Sequence, residues 1–104
     1  MTERSEIEAL LHQNWVGPVI QAGEFADAVI EALKADNPGK EIKLFHRGSY
    51  VRVLGEKRLR LRKESLEKEL GRSVRFPGEV EVNLSAFAGR IRTASDEIEW
   101  YYES

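Results

Sequence analysis

The fold of this chain starts at Trp15-Val16-Gly17-Pro18-Val19-Ile20, an apolar run that predicts an entering β-strand. Proline has no amide hydrogen to give to a neighbouring strand, so Pro18 is expected at the start of the strand, at a sheet edge or at a bulge. The Gly17-Pro18 pair also predicts a bend in the backbone. The segment holds no reactive group, so any role in function must come from its shape and its contacts.

Two helices are predicted downstream of this strand. Residues 24–35 carry apolar side chains at i, i+3, i+4, i+7 and i+8, the spacing of a helix with one buried face. The sequence Asp36-Asn37-Pro38-Gly39 should end it, because proline cannot continue a helix and Asn or Gly readily adopts the left-handed conformation. The second helix is predicted over Lys63–Leu70, with Gly71 as its terminator.

Alternation of apolar and polar residues predicts the remaining strands. It occurs at residues 42–45, 50–54, 58–62, 80–84, 90–92 and 98–102. The predicted order is therefore β-α-β-β-(β)-α-β-β-β. This order predicts an α+β fold in which two helices pack on a largely antiparallel β-sheet.

The chain is expected to form one domain, because 104 residues are enough for one modest core and too few for two. Residues 1–13 are expected to be a mobile N-terminal tail, and residues 14–104 the single domain. The tail also fits a short amphipathic turn, since Ser5-Glu6-Ile7-Glu8 matches a capping box. A helix this short is marginal in water without packing, which favours the mobile tail.

Composition excludes several functions. The net charge of -2 and the pI near 5.7 argue against a nucleic-acid-binding protein. The chain has no cysteine, which rules out disulfides, thiolate metal sites and iron–sulfur clusters. It has no apolar run long enough to span a membrane or to serve as a signal peptide, so a cytoplasmic protein without membrane attachment is expected.

No catalytic, cofactor-binding or metal-binding residue is predicted. Neither His12 nor His46 has a partner at metal-ligand spacing, and Gly-x-Ser-x-Gly does not occur. A carboxylate-bridged di-iron centre would need Glu-x-x-His motifs on several helices, and the chain has none. Phosphate-binding glycine motifs are also missing.

Two other segments suggest binding functions. Residues 47–53 partly match the central strand of an RNA-recognition motif, although Ser49 stands where an aromatic residue is expected. An RNA-recognition-like or ligand-sensing module is thus the alternative function. The basic residues of 57–63 either steer an acidic protein partner or protect an edge strand from aggregation, and the sequence leaves both interpretations open: Lys57, Arg58, Arg60, Arg62 and Lys63.

A family resemblance spans residues 14–101. It is carried by Asn14 with Val16-Gly17-Pro18, Ala22-Gly23, residues 36–42, Tyr50-Val51-Arg52, Lys63 with residues 66–70, Gly71-Arg72, and Asn83 with Phe87-Ala88-Gly89. In this order and spacing the chain resembles the effector (coupling or regulatory) proteins of soluble di-iron multicomponent monooxygenases, most closely the toluene-monooxygenase branch.

The resemblance implies a regulatory subunit that is not itself an enzyme and carries no cofactor. Such a subunit docks on the hydroxylase of a bacterial di-iron hydrocarbon monooxygenase, raises its turnover and coupling, and tunes its regiospecificity. The resemblance further implies a system with a Rieske-type ferredoxin and a reductase. The hydrocarbon is left open between an aromatic compound and an alkene such as isoprene, since the hydroxylase holds the substrate.

Within this resemblance, two segments are expected to bind the partner. They are Asn14, Trp15, Val16, Gly17 and Pro18, and Ser85, Phe87, Ala88 and Gly89. Trp15 and Phe87 suit the anchoring role of aromatic residues at interface centres, while the glycines permit close backbone approach. The alternative is that Phe87 belongs to the core and that Gly17-Pro18 only bends the chain.

Overall fold

The computed structural model of the chain describes residues 2–103, so Met1 of the expected tail and Ser104 of the expected domain lie outside it. The elements in chain order are α1 (Glu3–His12), β1 (Trp15–Gln21), α2 (Glu24–Asp36), β2 (Ile42–Arg47), β3 (Tyr50–Glu56), β4 (Arg58–Arg62), α3 (Lys63–Leu70), α4 (Gly78–Glu81), β5 (Leu84–Ala88), β6 (Arg90–Thr93) and β7 (Glu97–Tyr101). The predicted α+β class is confirmed. The predicted order of strands and long helices is also found, with α1 and α4 added.

The strands of the described residues form two antiparallel sheets instead of the one that was expected. The first sheet has the strand order β2-β3-β1-β5, and the second sheet has the order β4-β7-β6. The chain passes from the first sheet to the second at Lys57, whose φ is 65°, and again at Gly89, whose φ is 87°. One core joins both sheets to α2, and its largest members include Ile20, Leu33 and Trp100.

The two predicted helices form for the reasons given by the sequence. The inner face of α2 buries Val29, Ile30 and Leu33. Helix α3 buries Leu66 and ends at Gly71, which has the left-handed φ of 70° and donates its N–H to the carbonyl of Glu67. Glycine is favoured at this position because it has no Cβ to clash in the left-handed conformation.

The N-terminal segment differs from the expected mobile tail, because residues 3–12 form α1. Thr2 is the capping residue, and its hydroxyl accepts from the backbone N–H of Ser5 at 3.1 Å. Leu10 is buried against Trp15, Phe45 and Leu54 of the first sheet. This packing supplies the tertiary support that so short a helix lacks on its own.

The expected strand at residues 80–84 also differs from the structure, since α4 covers Gly78–Glu81 and β5 begins only at Leu84. Val80 is buried, whereas Val82 is 79% exposed. The helical turn is held by Glu79, whose carboxylate accepts from Arg72 Nη2 at 2.5 Å, and by Asn83, whose side-chain amide donates to the carbonyl of Glu79 at 2.8 Å. These bonds favour a turn of helix over the strand that the valine alternation indicated.

The last residue of α2 and the segment that follows it cover the free edge of β4 with side chains. The Asn37 amide donates to the carbonyl of Arg60 at 2.9 Å and accepts from its N–H at 3.1 Å, while Asp36 accepts from the N–H of Arg62 at 2.7 Å. Lys40 Nζ donates to the carbonyl of Arg58 and, at 2.9 Å, to that of Glu56. These side chains take the hydrogen bonds that a further strand would otherwise make.

Candidate docking surface

The two segments expected to bind a partner lie side by side. Strand β5 pairs antiparallel with β1, so that Gly17 lies opposite Ala88 and Pro18 opposite Phe87. The register shifts between Val19 and Ile20, one residue beyond Pro18. The sequence predicts Pro18 at a strand start, a sheet edge or a bulge; it lies in the middle of β1, the strand between β3 and β5, beside this irregularity.

The first segment lies mostly in the interior. Trp15 is only 9% exposed, because α1 brings Leu10 against it, and Lys43 Nζ stands 5.9 Å from the centre of its ring. Val16 and Pro18 are buried, and Asn14 is half-buried with its carbonyl accepting from the N–H of Lys57 at 3.0 Å. In this structure the Trp15 side chain is a core residue and not the exposed anchor that the sequence suggested.

Gly17 allows close approach within the protein itself. A Cβ built there would lie 3.0 Å from the carbonyl carbon of Val53 and closer still to its oxygen. Gly17 has a φ of 147°, in a region that side chains rarely adopt. The glycine is therefore needed for the pairing of β1 with β3.

The second segment lies at the surface. Phe87 is 42% exposed, Ser85 is exposed and Ala88 is half-buried. Strand β5 is the last strand of the first sheet, so its outer edge is unpaired within the described residues. Gly89 fixes the end of this strand, because a Cβ there would lie 2.5 Å from Val16 Cγ1 and 2.8 Å from the carbonyl oxygen of Tyr101.

A groove of about 350 Å³ runs between β5 and β6. We call it the β5 groove, and it is lined by Glu81, Leu84, Ser85, Ala86, Phe87, Ile91 and Thr93. Val82 stands exposed at the turn that leads into β5. An exposed aromatic ring, an apolar groove and a free strand edge together suit the binding of another protein.

A second exposed surface is the outer face of the second sheet, of which the sequence predicted only the basic residues of 57–63. Directly paired residues of an antiparallel sheet have their side chains on the same face. Arg58, Tyr101 and Arg90 form one row, Arg60, Glu99 and Arg92 the next, and Arg62 pairs with Glu97. We call this surface the arginine face. The alternation in residues 58–62 indicated its first strand, but no local pattern indicated that β6 would add Arg90 and Arg92.

Two carboxylates organise the arginine face. Glu99, only 5% exposed, accepts from both Arg58 and Arg92, and Glu97 accepts from Arg60 Nε at 2.7 Å. Burial by itself would raise the pKa of Glu99, but the hydrogen bonds and charges of Arg92 and Arg58 outweigh it, and the pKa lies below its usual value. The Arg92 guanidinium also lies 4.9 Å from the centre of the Tyr101 ring.

Within residues 2–103, no group of three or more His, Cys, Asp or Glu side chains is arranged to hold a metal ion. Over the same residues, no helix is long and apolar enough to cross a membrane.

The pKa of Lys40 lies below its usual value, mainly because the side chain is partly buried and also because of the nearby charge of Arg58. The Lys40 ammonium donates hydrogen bonds to the backbone carbonyls of Glu56 and Arg58.

The structure is that of a small α+β protein with an exposed apolar groove and a charged sheet face. The chain belongs to the MmoB/DmpM family, whose model matches residues 14–101. It is 47% identical over 94 residues to the effector subunit of the alkene monooxygenase system of Xanthobacter autotrophicus strain Py2, a match that covers 90% of this chain and 92% of that protein.

Solved structures support the same assignment. Two chains from structures of the phenol hydroxylase–regulatory protein complex are similar to this one. The first has a TM-score of 0.74 and 26% identity and covers 88% of this chain and 100% of its own; the second has a TM-score of 0.63 and 30% identity and covers 84% and 98%. The predicted class, a regulatory effector subunit of a multicomponent monooxygenase and not an enzyme, is confirmed by these relatives. The RNA-binding alternative is not favoured.

Proposed function

We propose that this protein docks on the hydroxylase of a bacterial di-iron hydrocarbon monooxygenase through the β5 groove, and that docking raises turnover and coupling and tunes regiospecificity. The observation that carries the proposal is Phe87, a half-exposed aromatic ring on an unpaired strand of a family member. Aromatic residues in apolar pockets are frequent anchors of protein interfaces. Ser85, Ala88 and Gly89 continue the same surface.

The first segment supports the surface from beneath. Val16 packs so closely against Gly89 that a side chain at position 89 would clash with it. Pro18 lies opposite Phe87 in the pairing of β1 with β5. Asn14, Trp15 and Gly17 hold β1 against α1 and β3. We propose that the segment acts on binding through the position of β5, with residues 14–104 as the effector domain.

Regulation requires a difference in affinity. A ligand that binds two conformations of its partner equally well does not shift their equilibrium, so the effector must bind the active conformation of the hydroxylase more tightly. A shift from 1:99 to 99:1 needs about 5.5 kcal/mol of differential binding. One aromatic anchor supplies about 2 kcal/mol, so other contacts along β5 must add to it.

We also propose the substrate class and the remaining components of the system. Because the 47% identical relative is the effector of an alkene monooxygenase system, we propose an alkene as the substrate held by the hydroxylase. A Rieske-type ferredoxin and a reductase would deliver the electrons, in the cytoplasm. These components also define the assay.

The test combines purified hydroxylase, ferredoxin and reductase with stoichiometric effector and measures product formed per reductant consumed. We expect both the rate and this ratio to rise. An unchanged rate and ratio with wild-type effector would reject the proposed function.

The docking surface is tested with Phe87→Ala against Tyr50→Ala, which removes an exposed aromatic side chain from β3. We expect Phe87→Ala to weaken hydroxylase binding about 30-fold, equivalent to about 2 kcal/mol, and Tyr50→Ala to leave it unchanged. A large loss of thermal stability in Phe87→Ala with unchanged affinity would assign the ring to the core and reject the surface.

A further inference from the structure

The arginine face carries a charge opposite to that of the whole protein. Its five arginines and two glutamates give it a net charge of +3, whereas the whole protein has a net charge of -2. The side chains outside this face therefore have a net charge of -5. Three acidic side chains lie near it, because Glu64 and Glu103 stand 3.8 Å from Arg62 and Arg90 and Asp36 bonds the backbone of Arg62. Three lysines offset them, because Lys40 bonds the backbone of Arg58 and Lys57 and Lys63 flank β4 in the chain. The positive charge of the face is therefore not cancelled by its surroundings.

Protection of a sheet edge does not account for the three arginines of β4. Charged residues on an edge strand commonly prevent pairing with other chains. The edge of β4, however, is already covered by the side chains of Asp36, Asn37 and Lys40, which bond its backbone groups. Arg90 and Arg92 lie on β6, the other edge strand of this sheet, but Arg92 is held across the face by Glu99 and by the ring of Tyr101.

The face is also held in a fixed arrangement. The buried carboxylate of Glu99 bonds Arg58 and Arg92, Glu97 bonds Arg60, and the ring of Tyr101 lies beside Arg92. A long side chain normally loses rotamer freedom when it binds a partner, which opposes binding. Here that freedom is already restricted in the free protein, so the charged groups are preorganised.

We propose that the arginine face binds an acidic patch on the hydroxylase, beside the contact made by the β5 groove. The two surfaces meet at β6, because Ile91 and Thr93 line the groove while Arg90 and Arg92 stand on the opposite side of the same strand. The inference rests on the proposed function and adds to it the chemistry of the second contact. Such a surface raises the association rate and orients the encounter.

The test removes two charges without exposing Glu99. Arg62 and Arg90 are suitable because their side chains are 55% and 67% exposed and neither bonds Glu99. The matched control is Arg4→Gln with Arg47→Gln, which removes the same charge from α1 and β2. The association rate constant with the hydroxylase is measured by stopped flow between about 0.01 M and about 1 M salt, where the Debye length falls from about 30 Å to about 3 Å.

We expect Arg62→Gln with Arg90→Gln to slow association about 5-fold at low salt, to flatten the salt dependence and to match wild type at high salt. The control pair should keep the wild-type salt dependence, and Phe87→Ala should change mainly the dissociation rate. Equal effects of the two double variants, or an unchanged salt dependence, would overturn the inference while leaving the proposed function intact.

Absence of binding by the wild-type protein would instead overturn the proposed function and this inference with it. Equally tight binding of the wild type to single-stranded RNA would assign the face to a polyanion and overturn the inference.

Discussion

Replacing Gly17 with alanine tests whether this glycine serves the fold or the interface, and Gly23 provides a matched control. Both residues have nearly the same backbone angle, with φ at 147° and 144°. They differ in their surroundings, because a Cβ at Gly23 would meet nothing within 4 Å. At Gly17 it would lie 3.0 Å from the Val53 carbonyl carbon and 3.1 Å from Leu59 Cδ1.

The magnitude has two parts. Forcing alanine into this backbone region costs about 1–3 kcal/mol, and this part applies to both variants. Crowding against Val53 adds about 1–3 kcal/mol only at Gly17, because Val53 belongs to the paired strand β3 and cannot move alone. We expect Gly17→Ala to lose about 2–6 kcal/mol of unfolding free energy and Gly23→Ala about 1–3 kcal/mol.

The assay is urea unfolding followed by circular dichroism, with thermal unfolding as a second measurement. For a domain of this size, 1 kcal/mol corresponds to about 4–8 °C in Tm. Gly17→Ala should therefore unfold at clearly lower urea and temperature than Gly23→Ala. Equal stability of the two variants would refute the packing argument. Wild-type stability of Gly17→Ala with weakened hydroxylase binding would place Gly17 at the interface.

Three further outcomes are expected. Leu10→Ala should cost about 2 kcal/mol and change the fluorescence of Trp15, whereas the exposed neighbour Leu11→Ala should change neither; equal effects would contradict the packing of α1. Because the folded pKa of Glu99 lies below its ordinary value of 4.5, the stabilisation that its ionised form provides is present above about pH 4.5 and is lost as pH falls through the folded pKa. Urea midpoints measured below that pH should fall less steeply in Glu99→Gln than in wild type, and parallel curves would contradict this. Asn37→Ala should cost about 1–3 kcal/mol and speed aggregation measured by light scattering, since it uncovers the backbone of Arg60 in β4; unchanged aggregation would show that the edge needs no cover.

Local patterns were sufficient for the elements whose signals lie within a few residues. The apolar spacing of residues 24–35 and the glycine at position 71 predicted α2 and the end of α3 correctly. At residues 80–84 the alternation of valines was misleading. The bonds that hold α4 there involve Arg72, six residues before the start of that helix.

The candidate site required knowledge of distant contacts. An aromatic residue beside a Gly-Pro bend fits an exposed anchor or a core position equally well, and α1 buries Trp15 only because Phe45 and Leu54 complete the cluster. Phe87 stays accessible because β5 is at the end of its sheet. The arginine face likewise depends on the pairing of β6 with β7, which no short motif in the sequence indicates.

The packing of Gly89 has a mechanical consequence. This residue fits closely against Val16 of the first sheet and Tyr101 of the second, so the end of β5 is fastened to both halves of the molecule. A surface held in this way changes its conformation little when another protein binds to it. In the proposed complex, the effector would therefore keep its shape, and the conformational change would occur in the hydroxylase.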